Sequence, residues 1–171
     1  MYLDFDGVFN APEPPYNDVK KFSLNVKDSV HLREVSTITF SPTVVERMEY
    51  MRKFFDVELV WLTSWNDDNH ILAVAPHMAG LDGGRVIKAA LNHDASNSHD
   101  WTIWKAEAIL ADQQADPKPF VWVDDNAPKY HGLRVMTELD HIMKKILVPD
   151  SKTGLTKPDL QIIEKFFAMA I

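Results

Sequence analysis

The chain has no cysteine among its 171 residues. Disulfide staples, thiolate nucleophiles and thiolate metal sites are therefore excluded, and a reducing cytoplasm is the expected location. No apolar run approaches the ~20 residues of a membrane span, so no membrane partner is expected. The first residues carry acids and run straight into a short apolar strand, which is not the pattern of a signal peptide. That strand is short enough to allow natural residues upstream of Met1. Basic charge is in deficit: 18 Lys and Arg against 25 Asp and Glu give a formal charge of −7. A broad basic surface for nucleic acid is excluded, while a local pocket for one strand end is not. Glycine is scarce, with six residues. None builds a Gly-x-x-x-x-Gly-Lys phosphate loop or a Gly-x-Gly-x-x-Gly turn, and Gly83-Gly84 reads as a plain turn. The seven histidines (His31, His70, His77, His93, His99, His131, His141) do not fall at zinc-ligand spacing. No internal repeat or low-complexity tract is present.

What is present suits one soluble domain over residues 1–171: 46% hydrophobic and 25% charged residues, in a length that buries a sizeable core. Residues 1–6 read as a first strand, followed by a Gly7-Val8 turn and a proline-bearing loop over 11–18. From Val19 to Phe40, Phe22, Leu24, Val26, Val30, Leu32, Ile38 and Phe40 alternate with polar residues. That is a β-hairpin pattern with a turn near Lys27-Asp28. Ser41-Pro42 opens a helix with Val44, Met48, Met51 and Phe55 on one face. Val57–Leu62 reads as a buried strand, 66–75 as a helix stopped near Pro76, and Arg85-Val86-Ile87 as a short strand. A polar loop over 92–99 precedes a helix from Asp100 to about Gln113. Phe120–Val123 and Ile146–Val148 read as the last strands. Thr156 caps a final helix, with Asp159 as its capping-box acid and Leu160, Ile163, Phe167 and Ala170 on one face. Strands alternating with helices give an α/β chain with a mostly parallel sheet.

Two acid pairs stand at strand ends. Asp4 and Asp6 follow Met1-Tyr2-Leu3, and Asp124 and Asp125 follow Phe120–Val123. The carboxyl ends of parallel strands are where open α/β sheets bind ligands. Carboxylates converging there repel one another, and Mg²⁺, held by one or two of them together with water and substrate phosphate, relieves the repulsion. A metal-dependent phosphoryl site is the expectation. In an extended backbone Asp6 would point to the same side as Asp4. Asp-x-Asp-Gly also occurs in calcium loops, but those require more oxygen ligands and no buried strand before them. Asp124-Asp125-Asn126-Ala127-Pro128 also has the composition of a turn that opens a helix.

Leu-Asp-Phe-Asp-Gly-Val (3–8), Trp-Leu-Thr-Ser-Trp (61–65), Trp-Lys (104–105), Trp-Val-Asp-Asp (122–125) and Thr-Gly-Leu-Thr (153–156) occur in this order. In these motifs the chain resembles the haloacid dehalogenase-like (HAD) phosphohydrolase superfamily. It is most similar to small phage and actinobacterial domains and to the HAD domain of Swiss-army-knife RNA-repair proteins. The resemblance implies a Rossmann-like fold with helices on both sheet faces; the alternating segment over 19–40 reads as a hairpin flap, and no segment reads as a large cap domain. The resemblance also implies a Mg²⁺-dependent phosphomonoester hydrolase with Asp4 as nucleophile and Asp6 as general acid and base. Asp6 would also ligate the metal through its carbonyl, alongside Asp4, Asp124 and Asp125. Thr63 would bind a phosphate oxygen and Lys105 would offset its charge. Ser64 rivals Thr63 as the strand-end hydroxyl, and Thr63 is preferred because it directly follows the apolar run. Lys88 and Lys129 rival Lys105. Trp65 and Asn66 are further candidates for contact with substrate, although packing is the commoner fate of such a tryptophan. Trp101 and Trp104 read as core.

Other functions fit less well. A signalling receiver domain carries its acid pair first, whereas here the pair that follows one strand directly comes late. A carbon–halogen hydrolase needs neither Asp6 nor Asp124. A binding protein that has lost turnover remains an alternative, separable by a metal-dependent assay. The expected partner is a phosphorylated small molecule or nucleic-acid end. An open site also admits sugar phosphates and phosphoproteins, and nothing in the sequence sets the oligomeric state.

Overall fold

Apolar runs buried on both sides become the central strands of a parallel sheet, and here three such runs, flanked by two more exposed edge strands, build it. The five strands are β1 (Tyr2–Leu3), β4 (Val60–Trp61), β5 (Arg85–Val86), β6 (Phe120–Val123) and β7 (Lys144–Leu147). The sheet order is β5-β4-β1-β6-β7, and every pair is parallel. The computed structural model describes residues 1–26, 34–78, 80–88 and 102–170. The expected hairpin turn at Lys27-Asp28, with Val30, His31, Leu32 and Arg33, lies outside them. So do the loop over 92–99, His93, the helix start at Asp100, and Trp101.

Alternation along the strands decides the two faces. Leu3, Trp61, Val121, Val123 and Leu147 are buried in one cluster with Val44, Met48 and Met51 of α1 (Pro42–Phe54) and Leu160, Ile163 and Phe167 of α5 (Lys157–Ala170). Tyr2, Val60, Phe120 and Trp122 are buried in a second cluster. They share it with Trp104, Ile109 and Leu110 of α3 (Ile103–Ala115) and with Ala127 and Val135 of α4 (Ala127–Glu138). The chain is thus α/β and Rossmann-like, with a parallel sheet and helices against both faces. From β1 it moves outward to β4 and β5, then crosses back through α3 to β6 and β7. The strand order reverses around β1, and that switch point opens a crevice at the carboxyl ends of β1 and β6.

The hairpin forms a separate antiparallel ribbon, β2 (Lys20–Val26) against β3 (Glu34–Phe40), in register from Lys20↔Phe40 to Val26↔Glu34. Its base is core. Ile38 and Phe40 are buried, and Phe22 packs edge-on to Phe40 with ring centroids 5.8 Å apart.

Several expectations are corrected. Regular strand pairing in β1 stops at Leu3, because Phe5 turns the chain: its carbonyl accepts the amides of Val8, Phe9 and Asn10. The segment expected as one helix over 66–75 is a 3₁₀ turn (Ser64–Asn69), a short α2 (His70–Val74) and a second 3₁₀ turn (Ala75–Met78). The α-helical part does end just before Pro76, as expected, and Pro76 sits in the short 3₁₀ turn that follows. Ser41 precedes α1 but its side chain does not cap it. Asp18 does so from the preceding loop, accepting the Thr43 amide at 2.8 Å and the Ser41 hydroxyl at 2.7 Å. α4 starts at the helix-opening turn read at Asp124–Pro128, but the rest of its length has no counterpart in the sequence expectations.

Candidate active site

Asp4 leaves β1 and still donates its amide to Val123 O at 2.9 Å, which seats it at the carboxyl end of the sheet. Its carboxylate is buried and accepts the Phe5 amide on Oδ1 at 2.7 Å. Asp124 follows β6 and is wholly buried; its Oδ1 accepts the amides of Asn126 at 2.9 Å and Ala127 at 2.8 Å. These bonds make Asp124 the anchor of the first turn of α4 as well as a wall of the crevice. Between the two acids stands Lys105, carried in by the first turn of α3 and only 1% exposed. Its Nζ donates to Asp4 Oδ2 at 2.5 Å and to Asp124 Oδ2 at 2.7 Å. A lysine on a helix is usually solvated; this one is held by two buried carboxylates. Lys88 and Lys129, its rivals, are exposed.

Asp125 completes the cluster. Oxygen atoms of Asp4, Asp124 and Asp125 lie within 4.8 Å of one another. Gly7 makes room for it: its φ is +68°, and a Cβ there would sit 2.4 Å from the Asp125 carboxyl carbon. Gly154, with φ +66°, lets a second loop approach in the same way. A Cβ at that position would lie 2.6 Å from Val8 O, while the Leu155 amide donates to that same oxygen at 3.0 Å. The Thr-Gly-Leu-Thr segment therefore braces the loop that follows Asp4.

Three carboxylates with one ammonium carry surplus negative charge in a dry place. Burial pushes the Asp4 carboxyl up to about 7, the Lys105 ammonium opposing the shift and Asp124 adding to it. Burial and then the Asp124 charge raise Asp125. For Lys105, burial favours the neutral amine, but Asp4 and Asp124 outweigh it and hold the ammonium above its ordinary range.

Asp6 stands apart. Its side chain is exposed and lies outside the three-carboxylate group. The extended backbone expected between Asp4 and Asp6 is interrupted by a bend at Phe5. The carboxylate is nevertheless fixed: Asn10 Nδ2 donates to Oδ1 and Trp65 Nε1 to Oδ2, both at 2.7 Å. Trp65 thus uses its ring nitrogen on Asp6 and sets its ring edge-on to Phe5, with centroids 5.4 Å apart. Thr63 is buried at the end of the β4 run, and its Oγ1 accepts the Trp65 amide at 3.4 Å; Ser64 is exposed. Asn66 is buried, and its amide nitrogen clips Trp61 O and Ile87 O, each at 2.7 Å, tying β4 to the end of β5. Asn10 is absent from the sequence expectations, since nothing in a loop asparagine four residues after Asp6 marks it as a partner.

The family model for a HAD domain in Swiss Army Knife RNA repair proteins matches residues 1–160, a span that includes every residue of this site. No curated protein and no solved structure matches the chain.

Proposed function

The chain belongs to the family of HAD domains found in Swiss Army Knife RNA repair proteins, and from that premise we propose that it hydrolyses phosphomonoesters through an aspartyl-phosphate on Asp4. Membership implies phosphohydrolase-type activity. The observation that carries the finer reading is Lys105, buried and hydrogen-bonded to both Asp4 and Asp124 at the strand ends. A carboxylate oxygen of Asp4 attacks phosphorus while the ester oxygen leaves with a proton from Asp6. Asp6 then takes a proton from the water that attacks the acyl phosphate, freeing inorganic phosphate and Asp4. Lys105 offsets negative charge on the transferring group, and Thr63 donates its hydroxyl to a phosphate oxygen.

The donor set fits Mg²⁺. It is all oxygen, and three carboxylates face one ammonium. Asp4, Asp124 and Asp125, with the Asp6 carbonyl, would hold the ion, which supplies charge stabilisation to the phosphoryl oxygens. The substrate class is a nucleotide or a phosphorylated nucleic-acid end, a reading that rests on the RNA-repair family. Sugar phosphates and phosphopeptides are the competitors. A screen of mononucleotides, 3′- and 5′-phosphorylated oligonucleotides, sugar phosphates and phosphopeptides tests it, with Mg²⁺ and with chelator. Hydrolysis of the nucleotide class, abolished by chelator and by Asp4→Asn, is expected. Full activity of Asp4→Asn would remove the proposed nucleophile, and release of phosphate only from the other classes would remove the substrate assignment.

A further inference from the structure

Asp6 is an exposed carboxylate, and such a group ordinarily samples several rotamers at little cost. Here both its oxygens are taken by directed donors from different parts of the chain. Trp65 comes from the turn after β4, and its ring is pinned by edge contact with Phe5 and by packing against the first core cluster. Asn10 comes from the loop after β1, and its other side-chain atom is also engaged: Oδ1 accepts the Thr39 amide of β3 at 2.9 Å. Asp6 is therefore clamped between the loop that carries Thr63 and the base of the hairpin. A carboxylate has about four acceptor positions, so each oxygen keeps a second lone pair for a proton or a leaving group.

We propose that Trp65 and Asn10 are positioning residues for Asp6, fixing the carboxylate so that proton transfer to the leaving oxygen starts from one geometry. The inference rests on the phosphohydrolase reading and assigns to the indole N–H a task other than contact with substrate. Proton transfer depends steeply on hydrogen-bond reach, and displacement by about 1 Å costs about 10²-fold. The cost falls on esters whose leaving group needs the proton, and far less on an aryl phosphate that departs as a stabilised anion.

The test compares the parent with Trp65→Phe, Asn10→Ala and Asp6→Asn, in single turnover with Mg²⁺, on an alkyl and a nitrophenyl phosphate. Trp65→Phe keeps an aromatic ring against Phe5 while deleting the donor and part of the indole's packing, so the alkyl-to-aryl contrast, not the rate alone, is the readout. This substitution should slow the alkyl ester about 10-fold or more and the aryl ester at most a few-fold, with little change in KM, and Asn10→Ala should follow the same pattern. Equal slowing of both esters points to a merely structural role and overturns the proposal. So does parental behaviour of Trp65→Phe in a background where Asp6→Asn is impaired. A parent that hydrolyses neither ester overturns the phosphohydrolase reading, and the positioning role with it. The indole NMR spectrum gives a readout independent of turnover, and the other indole signals report whether the variant is folded. The signal assigned to Trp65 should move when Asp6 is replaced by Asn, and an unmoved signal would mean that the bond is not made.

Discussion

Lys105 and Asp4 each depend on the other for their charge. Lys105→Ala leaves Asp4 and Asp124 buried without their shared cation. Breaking a buried pair in this way costs about 3–5 kcal/mol, and loss of a charge-stabilising donor costs ~10²-fold or more in turnover. The variant should melt lower and turn over at least that much more slowly, while Lys88→Ala and Lys129→Ala, at exposed positions, should stay within a few-fold of the parent. The reverse ranking would move the cation's role elsewhere. Asp4 yields a prediction about pH. Its carboxyl titrates at about 7 in the fold against an ordinary 3.8. The folded state therefore binds more protons than the unfolded one between those values, and the metal-free protein loses stability as pH climbs through that window. Asp4→Asn cannot ionise and escapes the loss. In chelator, its melting temperature should match the parent's near about pH 4 and exceed it near about pH 8. A difference that does not vary with pH would mean that Asp4 is not up-shifted.

At the scale of elements, the sequence is most legible where burial alone decides the outcome. Phe120–Val123 has no polar side and reads as a strand with its observed ends, and the period of α5 is clean enough to give its face. Likewise Asp4 and Asp124 are legible because each directly follows such a run. Legibility fails where a partner distant in sequence does the work. α4 opens on Asn126-Ala127-Pro128, and the bonds that start it come from Asp124, so one acid serves both the crevice and the helix. Asp6 and Trp65 were each visible as candidates, but their bond joins two loops that only the fold brings together. The Asp18 cap on α1 is of the same kind, since the local signal at Ser41 is a plausible cap that goes unused. Asp18→Ala should cost ~1 kcal/mol, the usual worth of an N-cap. That corresponds to a fall of roughly 2–4 °C in melting temperature for a chain of this size. Replacing Ser41 by Ala should cost less, because it deletes one hydroxyl bond and leaves the Thr43 amide capped. Thermal melts of the two variants check the order, and a larger fall for Ser41→Ala would return the cap to the local residue.

For the whole molecule, the question is how a site at the switch point of one sheet chooses among phosphate esters. The hairpin is the candidate, because its base is built into the site's own surroundings. Thr39 donates its amide to Asn10 Oδ1 and accepts the Ala11 amide at 3.0 Å, while Phe22 leans on His77 with ring centroids 5.4 Å apart. Removing residues 19–40 outright would delete Ile38 and Phe40 from the core, and large truncations of that kind cost ~2–5 kcal/mol each. The informative change is smaller: keep the ribbon to the rung Leu24↔Ser36 and close it there with an Asn-Gly turn. Remote contacts supply binding energy only to substrates long enough to reach them. The shortened protein should therefore process a minimal aryl phosphate within a few-fold of the parent. Its preference among nucleotides, oligonucleotide ends and sugar phosphates should shift by about 10-fold or more. If the ranking survives the shortening, the outer hairpin does not select substrate, and selection passes to the turn at Ser64–Asn69, whose Trp65 holds Asp6.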